Sequence, residues 1–306
     1  MSVILFGANG DLGSRVAQHL HYLDADVRCV VRKGSATRLR ELLKPQLGQI
    51  IEVDDLDCRS LENACRGGSV VVSTVSGLEP VVLDFQKRLI HAAKAVGVPR
   101  FIPSDFAVDY RKIPFGDNRN LNLLEQFRQA ADEVKGIQVT SILNGAFMDM
   151  LTGVAPFILY PINRILCWGN RNQKMDWTTI NDTAQYTAYA ALDKTTPRYL
   201  YIAGDELSAN DLAQLMTGLT GKSYRVFQPG GLSLFKGMIG LTKFFVPGVG
   251  KKYPPWQGMQ YMHSMYSGLC KFDRLDNQRY PVKFTDGRTF IKKFLDGKLS
   301  KYQLKG

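Results

Sequence analysis

The chain has 306 residues, of which 45% are hydrophobic, and its formal net charge is +11. This length and apolar content suit one large domain, or one domain with a smaller lobe. No apolar run is long enough to cross a bilayer and the first residues do not resemble a secretory signal, so we expect a cytoplasmic protein with no membrane partner.

Cysteines, histidines and basic residues argue against three further classes of protein. The five cysteines are odd in number and include no Cys-x-x-Cys pair, which favours reduced thiols over a disulfide framework. The four histidines lack the paired spacing of metal ligands, so we expect no metal site. More than half of the net charge comes from residues 271–306, where basic residues are spread singly, and we expect no nucleic-acid partner.

Short β-branched runs alternate with helical stretches along the first half of the chain. Predicted strands cover residues 3–6, 27–31, 49–53, 69–73, 100–103 and 138–143, and predicted helices cover 15–20, 37–47, 61–65, 83–96 and 121–134. This alternation predicts an α/β fold with a doubly wound parallel sheet of the Rossmann type.

The second half of the chain is less regular. Around residue 180 we predict a helix with Asn181 or Asp182 as its N-cap, and Ser208 is predicted to cap a later amphipathic helix. We expect a Rossmann domain of residues 1–150, completed by 176–205, and a smaller α/β lobe of residues 151–175 and 206–306.

The first strand runs into the sequence GANGDLG, whose glycines are spaced three apart. A strand, a glycine turn and a helix place backbone N–H groups where a pyrophosphate can bind. Gly7 would allow the tight turn, Gly10 would let a phosphate come close, and Gly13 would let the helix pack on the strand. The predicted contacts in this turn are Gly7, Asn9, Gly10, Asp11, Leu12 and Gly13.

The end of the second strand indicates which dinucleotide binds. NAD-selective folds carry an acidic residue there that binds the ribose 2′-hydroxyl. This chain has Arg32 and Lys33 instead, and a guanidinium can pair with a 2′-phosphate. We therefore predict NADP(H) as the cofactor, with a solvated loop as the alternative interpretation of these two residues.

Several short motifs together resemble one family. They are GANGDLG with VVRKG, STVSG at residues 73–77, RFIPSDF at 100–106 and LNGAF at 143–147. Over about the first 150 residues the chain resembles the NmrA-like and isoflavone-reductase-like group of atypical short-chain dehydrogenases. This resemblance implies further cofactor contacts. They are Thr74, Val75 and Ser76 along the ribose and phosphates, Pro103 and Ser104 near the nicotinamide, and Asn144 and Phe147 beside it.

An aromatic and methionine-rich stretch at residues 254–269 stands out in the C-terminal lobe. Such a stretch is typical either of core packing or of the wall of a substrate cleft. In the second interpretation, Phe106, Trp256 and Tyr261 would contact a flat substrate.

The usual acid–base residues of short-chain reductases are absent. None of the thirteen tyrosines has a lysine four residues later. The isoflavone-reductase branch uses a helical lysine instead, and that position falls near Leu124 or Glu125, so it is not a lysine here. Tyr110 and Lys112 remain as candidate proton donors, whereas Glu125 and Arg128 are predicted to form a surface ion pair.

Two functional hypotheses follow from these observations. The first is an NADPH-dependent reductase that transfers hydride to a small conjugated or aromatic substrate of the enone, quinone or phenolic type. The second, implied by the NmrA branch, is a non-catalytic NADP(H)-binding redox sensor that regulates a protein partner. Either would be a monomer or a homodimer.

Overall fold

The structure is a computed structural model that describes residues 1–42, 48–54 and 57–302. Its strands are β1 Ser2–Phe6, β2 Asp26–Arg32, β3 Gln49–Val53, β4 Val70–Ser73, β5 Arg100–Ile102, β6 Gln138–Val139, β7 Ser141–Leu143, β8 Ala146–Phe147, β9 Ile158–Leu159, β10 Arg164–Trp168, β11 Met175–Thr178, β12 Tyr199–Tyr201, β13 Asp205–Leu207 and β14 Arg225–Gly230. Its α-helices are α1 Asp11–Tyr22, α2 Ala36–Leu42, α3 Cys58–Cys65, α4 Gln86–Ala95, α5 Arg119–Glu133, α6 Ile180–Leu192, α7 Ala209–Thr220, α8 Leu232–Phe245, α9 Pro255–Tyr266 and α10 Gly287–Leu295.

Six parallel strands form the main sheet, in the order β3-β2-β1-β4-β5-β6. The central strand β1 is buried on both faces because helices cover both sides of the sheet, which explains its continuous apolar run. The predicted Rossmann-type α/β fold is confirmed. The order reverses direction between β1 and β4, and in open α/β sheets ligands bind at the carboxyl ends of the strands at this point.

Later segments form smaller sheets beside the main one. Strand β12 pairs with β7, β11 pairs with β8 and β13, and helix α6 packs against α1. Strands β9, β10 and β14 form a separate sheet, with α7 and α9 packed against it. The division into residues 1–150 with 176–205 and residues 151–175 with 206–306 stays a prediction.

Two predicted element boundaries change in the structure, and a third is only partly described. Helix α6 is capped by Thr179, whose side chain accepts a hydrogen bond from the Asp182 N–H, so the predicted N-cap at Asn181 or Asp182 is wrong. The predicted strand 138–143 divides at Thr140, because β6 pairs with β5 whereas β7 pairs with β12. Helix α2 ends at Leu42, and residues 43–47 of the helix predicted there lie outside the described residues.

The predicted cap at Ser208 is confirmed. Ser208 caps α7 in a reciprocal arrangement with Asp211, in which each side chain accepts from the other residue's backbone N–H. Among the residues that the structure describes, no helix is long and apolar enough to cross a membrane.

Candidate functional site

The glycine turn between β1 and α1 is built so that side chains cannot be added at two positions. Gly7 has φ of +86°, and a Cβ there would lie 2.7 Å from the carbonyl carbon of Thr74. A Cβ on Gly13 would lie 2.3 Å from the Gly7 carbonyl oxygen. The Thr74 hydroxyl donates to the Phe6 carbonyl at 2.8 Å and holds the end of β4 against the turn. Gly13 therefore serves helix packing, as predicted.

Gly10 plays a different part in the same turn. It is the N-cap residue of α1 in an extended conformation, and it contributes no side-chain cap to the helix. The first N–H groups of α1 therefore face the cavity without a side chain over them, at the positive end of the helix dipole. A Cβ at Gly10 would lie 3.2 Å from the Gly7 carbonyl oxygen, which is a tight contact, so the turn favours glycine here as well.

A cavity of about 1370 Å³ starts at this turn and runs along the carboxyl ends of the strands to helix α9. Of the predicted cofactor and substrate residues, its wall includes Gly7, Asn9, Gly10, Asp11, Leu12, Arg32, Thr74, Val75, Ser76, Ser104, Phe106, Phe147 and Tyr261. The structure thus brings together residues that are up to 254 positions apart in the chain, from Gly7 to Tyr261.

The end of β2 is fixed beside the glycine turn. The Asn9 side chain donates to the Ser35 carbonyl at 3.2 Å, and the Ser35 N–H donates to the Arg32 carbonyl at 3.0 Å. Arg32 is exposed at the cavity wall, and in the described part of the chain its guanidinium has no hydrogen-bond partner. Lys33 lies outside the wall. Arg32 is therefore the basic side chain of this pair that is available to a ligand in the cavity.

The loops after β4 and β5 are tied to each other at the cavity wall. The Ser104 hydroxyl donates to the Val75 carbonyl at 2.7 Å, and the Ser104 N–H donates to the Gln86 side chain at 2.7 Å. These bonds place the Thr74–Ser76 segment and Ser104 side by side. Pro103 and Asn144 differ from the prediction, because they lie behind the wall, where Asn144 is fully buried.

Asp105 holds the RFIPSDF loop from inside the protein. Its carboxylate accepts hydrogen bonds from the Tyr110 hydroxyl at 2.9 Å and from the Ser141 hydroxyl. Burial raises the pKa of Asp105 to about 6, against the opposing effect of the Ser141 hydrogen bond and the nearby Arg198 charge. The motif therefore has a structural core as well as a cavity-facing part.

Both sequence-predicted proton donors lie away from the cavity. Tyr110 is buried on Asp105, and burial together with that carboxylate raises the pKa of its hydroxyl well above the usual value. The Lys112 ammonium lies 2.7 Å from an Asp273 carboxylate oxygen and 2.8 Å from the Lys271 carbonyl. The prediction for these two residues is corrected, since neither lines the cavity.

Trp256 is also placed differently from the prediction. Its indole N–H donates to the Pro247 carbonyl at 3.1 Å, and its ring is buried beneath the side chains of Arg119 and Lys243. Trp256 anchors the segment before α9 and does not line the cavity, whereas Phe106 and Tyr261 do. The methionine-rich stretch thus divides into a core-packing part and a cavity-lining part.

Helix α5 carries Leu124 and Glu125, near which the resemblance implies a lysine in related reductases. Glu125 pairs with Arg128 at 2.7 Å, and Arg128 pairs with Asp132 at 2.6 Å, which confirms the predicted ion pair. Leu124 lines the cavity. An apolar side chain thus occupies this part of the cavity wall.

Sequence reasoning missed Lys252, which lines the cavity from the segment before α9. Its ammonium donates a hydrogen bond to the Ser76 hydroxyl, and its backbone carbonyl accepts one from Arg119 at 2.7 Å. Burial lowers the pKa of Lys252 from its usual value. The short KKYPP run is the only feature of the sequence at this point. It does not predict the contact with Ser76, because the two residues are 176 positions apart.

Comparison with known proteins relates this architecture to one group. The profile of the NmrA-like family matches residues 1–249. A bifunctional pinoresinol-lariciresinol reductase of Linum perenne is 27% identical over 72% of this chain and 75% of its own length. The solved structure "AtPrR2 with NADP+ and (+)pinoresinol" superposes with a TM-score of 0.80 over 96% of this chain and 98% of that one, at 23% identity. A crystal structure of an isoflavone reductase gives a TM-score of 0.82 over 96% and 99%, at 18% identity.

Proposed function

Since the chain belongs to the NmrA-like family, we propose that it is an NADPH-dependent reductase of a small conjugated or aromatic molecule. The observation that carries this proposal is the single cavity that joins the glycine turn to an apolar wall in the smaller lobe. Its volume of about 1370 Å³ exceeds the upper value of about 1,000 Å³ typical of single-ligand sites, so it has room for a dinucleotide and a second molecule.

The residues present fit NADP(H). The N-terminus of α1, which has no side-chain cap, and the absence of a side chain at Gly10 on the cavity wall suit a pyrophosphate, which also gains from the helix dipole. Arg32 suits the 2′-phosphate because its guanidinium is exposed at the cavity wall and free of protein partners among the described residues. Thr74, Val75 and Ser76 would follow the ribose and phosphates, with Ser104 and Phe147 nearer the nicotinamide.

The substrate end of the cavity favours a flat, apolar molecule. Phe106, Phe147 and Tyr261 contribute aromatic surface, and methionines such as Met150 and Met259 contribute adaptable apolar surface. A polar substrate would leave its groups unpaired against such a wall, at a cost of about 1–3 kcal/mol each. A conjugated or phenolic substrate fits this chemistry.

We assign the proton donor of the proposed reaction to Lys252. NADPH supplies a hydride when bound, and reduction of a conjugated acceptor then needs a proton for the oxygen that gains charge. Of the lysine and tyrosine side chains on the described cavity wall, Lys252 has its pKa moved towards neutrality, whereas burial moves those of Tyr253, Tyr261 and Tyr302 upwards. A protonated amine beside Ser76 can hold this proton and release it into the cavity.

Two measurements on the purified protein test the proposal. Calorimetry measures NADPH binding, and the loss of reduced-nicotinamide absorbance measures turnover with a panel of quinones, enones and phenolic ethers. We expect turnover with at least one acceptor class and no turnover in a Gly10→Val variant. Tight NADPH binding without turnover across the panel would overturn the reductase and favour the NADP(H)-binding regulator.

A further inference from the structure

The segment that follows helix α10 returns to the cavity, where Tyr302 is part of the wall. Leu299 packs against the hydrophobic core, and the Lys301 side chain lies over Gly153, where a Cβ would be 3.7 Å from the Lys301 Cε. The Tyr302 N–H donates a hydrogen bond to the Thr152 hydroxyl at 3.0 Å. The protein therefore holds the backbone of this segment in place beside the cavity.

The residue that anchors Tyr302 is itself buried. The Thr152 hydroxyl accepts from the Tyr302 N–H and donates to the Asp149 carbonyl at 2.8 Å. Thr152 closes the 3₁₀ turn Met148–Thr152, which directly follows the cavity-lining Phe147 and packs against α10. Tyr302 is thus fixed to a turn at the edge of the cavity.

The Tyr302 side chain lies close to the glycine turn and to the Lys252 segment. Burial raises the pKa of the Tyr302 hydroxyl to about 12, and the nearby Asp11 carboxylate and Tyr253 hydroxyl act in the same direction. Asp11 is the first residue of α1, and Tyr253 follows Lys252, whose ammonium donates to the Ser76 hydroxyl. Three segments that are distant in the sequence therefore meet at one part of the cavity.

The hydroxyl of Tyr302 is a hydrogen-bond donor without a partner. Its side chain is only partly exposed, and among the described residues no group accepts from it. Because its pKa is raised, the hydroxyl keeps its proton at neutral pH and can donate. The nearby Asp11 carboxylate is paired with Arg15 at 2.8 Å, which offsets its repulsion of an anionic ligand. A phosphate oxygen is therefore a suitable acceptor for this hydroxyl.

We propose that Tyr302 binds the pyrophosphate of the dinucleotide by donating a hydrogen bond from its hydroxyl. This inference rests on the proposed cofactor, and it adds a contact from the segment after α10 to those of the glycine turn. Asp11 links the two, because it begins the helix whose uncapped N-terminus suits the pyrophosphate and also neighbours Tyr302. The pyrophosphate is common to NADPH and NADH, so Tyr302 would strengthen the binding of both.

The alternative is that Tyr302 contacts the substrate. The surface that suits an apolar substrate comes from other elements, with Phe106 after β5 and Met259 and Tyr261 on α9. Tyr302 instead neighbours Asp11 at the glycine turn. The polar end of the cavity is therefore the better match for its hydroxyl.

Tyr302→Phe tests the proposal, because it removes one oxygen and leaves the ring in place. We expect calorimetry without any acceptor to show about tenfold weaker binding of both NADPH and NADH. Binding of adenosine 2′-phosphate should not change, since this compound lacks the pyrophosphate. Tyr22→Phe is the matched control, because Tyr22 is 76% exposed at the opposite end of α1, and it should bind like the unaltered chain.

Four outcomes would overturn the proposal. They are an unchanged NADPH affinity in Tyr302→Phe, a loss for NADPH but not for NADH, an equal loss for adenosine 2′-phosphate, and an equal loss in Tyr22→Phe. An unchanged NADPH affinity with a raised KM for the acceptor would assign Tyr302 to the substrate.

The titrations also separate this inference from the proposed function. An unaltered chain that binds NADPH without turnover contradicts the reductase alone, whereas the Tyr302→Phe titrations still decide the pyrophosphate contact. An unaltered chain that does not bind NADPH contradicts both.

Discussion

Replacement of Arg32 by alanine tests the cofactor assignment at one position. The guanidinium is exposed at the cavity wall, next to a turn that hydrogen bonds through Ser35 and Asn9 hold in place. A hydrogen bond to a charged partner contributes about 1.5–3 kcal/mol, which corresponds to about 10- to 150-fold in affinity. Because Arg32 is exposed to solvent, we expect the lower end of this range, so Arg32→Ala should weaken NADPH binding about tenfold.

The same change should leave NADH binding nearly unaltered, because NADH lacks the 2′-phosphate. Calorimetric titration of both dinucleotides measures the ratio of their dissociation constants. Higher salt should bring this ratio closer to one, because it screens the attraction between Arg32 and the 2′-phosphate. Lys33→Ala is the matched control, since Lys33 is the adjacent basic residue but lies outside the cavity wall. Equal losses for NADPH and NADH, or an effect of Lys33→Ala as large as that of Arg32→Ala, would refute the 2′-phosphate assignment.

Three other variants examine the turn, the proton donor and the buried carboxylate. Gly10→Val should abolish binding of either dinucleotide in calorimetry while circular dichroism stays unchanged, because Gly10 already has extended backbone geometry. Lys252→Met should lower kcat by about 100-fold and remove the basic limb of its pH profile, and Lys251→Met should do neither. Asp105→Asn should flatten the pH dependence of the free energy of unfolding. With the Asp105 pKa raised from 3.8 to about 6, the native state binds the extra proton, so stability falls as pH rises between these values, by about 3 kcal/mol. Urea midpoints that keep their full pH dependence in Asp105→Asn would contradict this assignment.

Local sequence signals were sufficient for the parts of the protein that depend on neighbouring residues. The glycine spacing after β1 identified the turn, because the contacts that require glycine there are local. The positive φ of Gly7 and the close contact between Gly13 and Gly7 involve only the turn itself and Thr74 at the end of the neighbouring strand. Alternation of apolar strands with helices gave the α/β class, since each strand must be apolar on both faces to lie between two helical layers. The Ser208 cap was visible for the same reason, because its partner Asp211 is three residues away.

Predictions failed where side-chain direction depended on distant elements. Tyr110 turns inward because Asp105 and Ser141 form a buried polar cluster, and Trp256 turns away from the cavity towards the Pro247 carbonyl. The spacing of residues along the chain does not predict which way these side chains point. A residue in a loop or in the first turn of a helix can face either way, and the neighbours it meets after folding decide which.

The sequence by itself therefore determined the fold class, the glycine turn and the place of Arg32 at the end of β2, because these follow from short-range geometry and apolar periodicity. The tertiary structure decided which side chains share the cavity. Folding brings Lys252 to Ser76 across 176 positions, a contact that neither segment indicates alone. It also decides which side of helix α8 is buried, because Phe235 stacks on Trp168 and is buried together with Ile239.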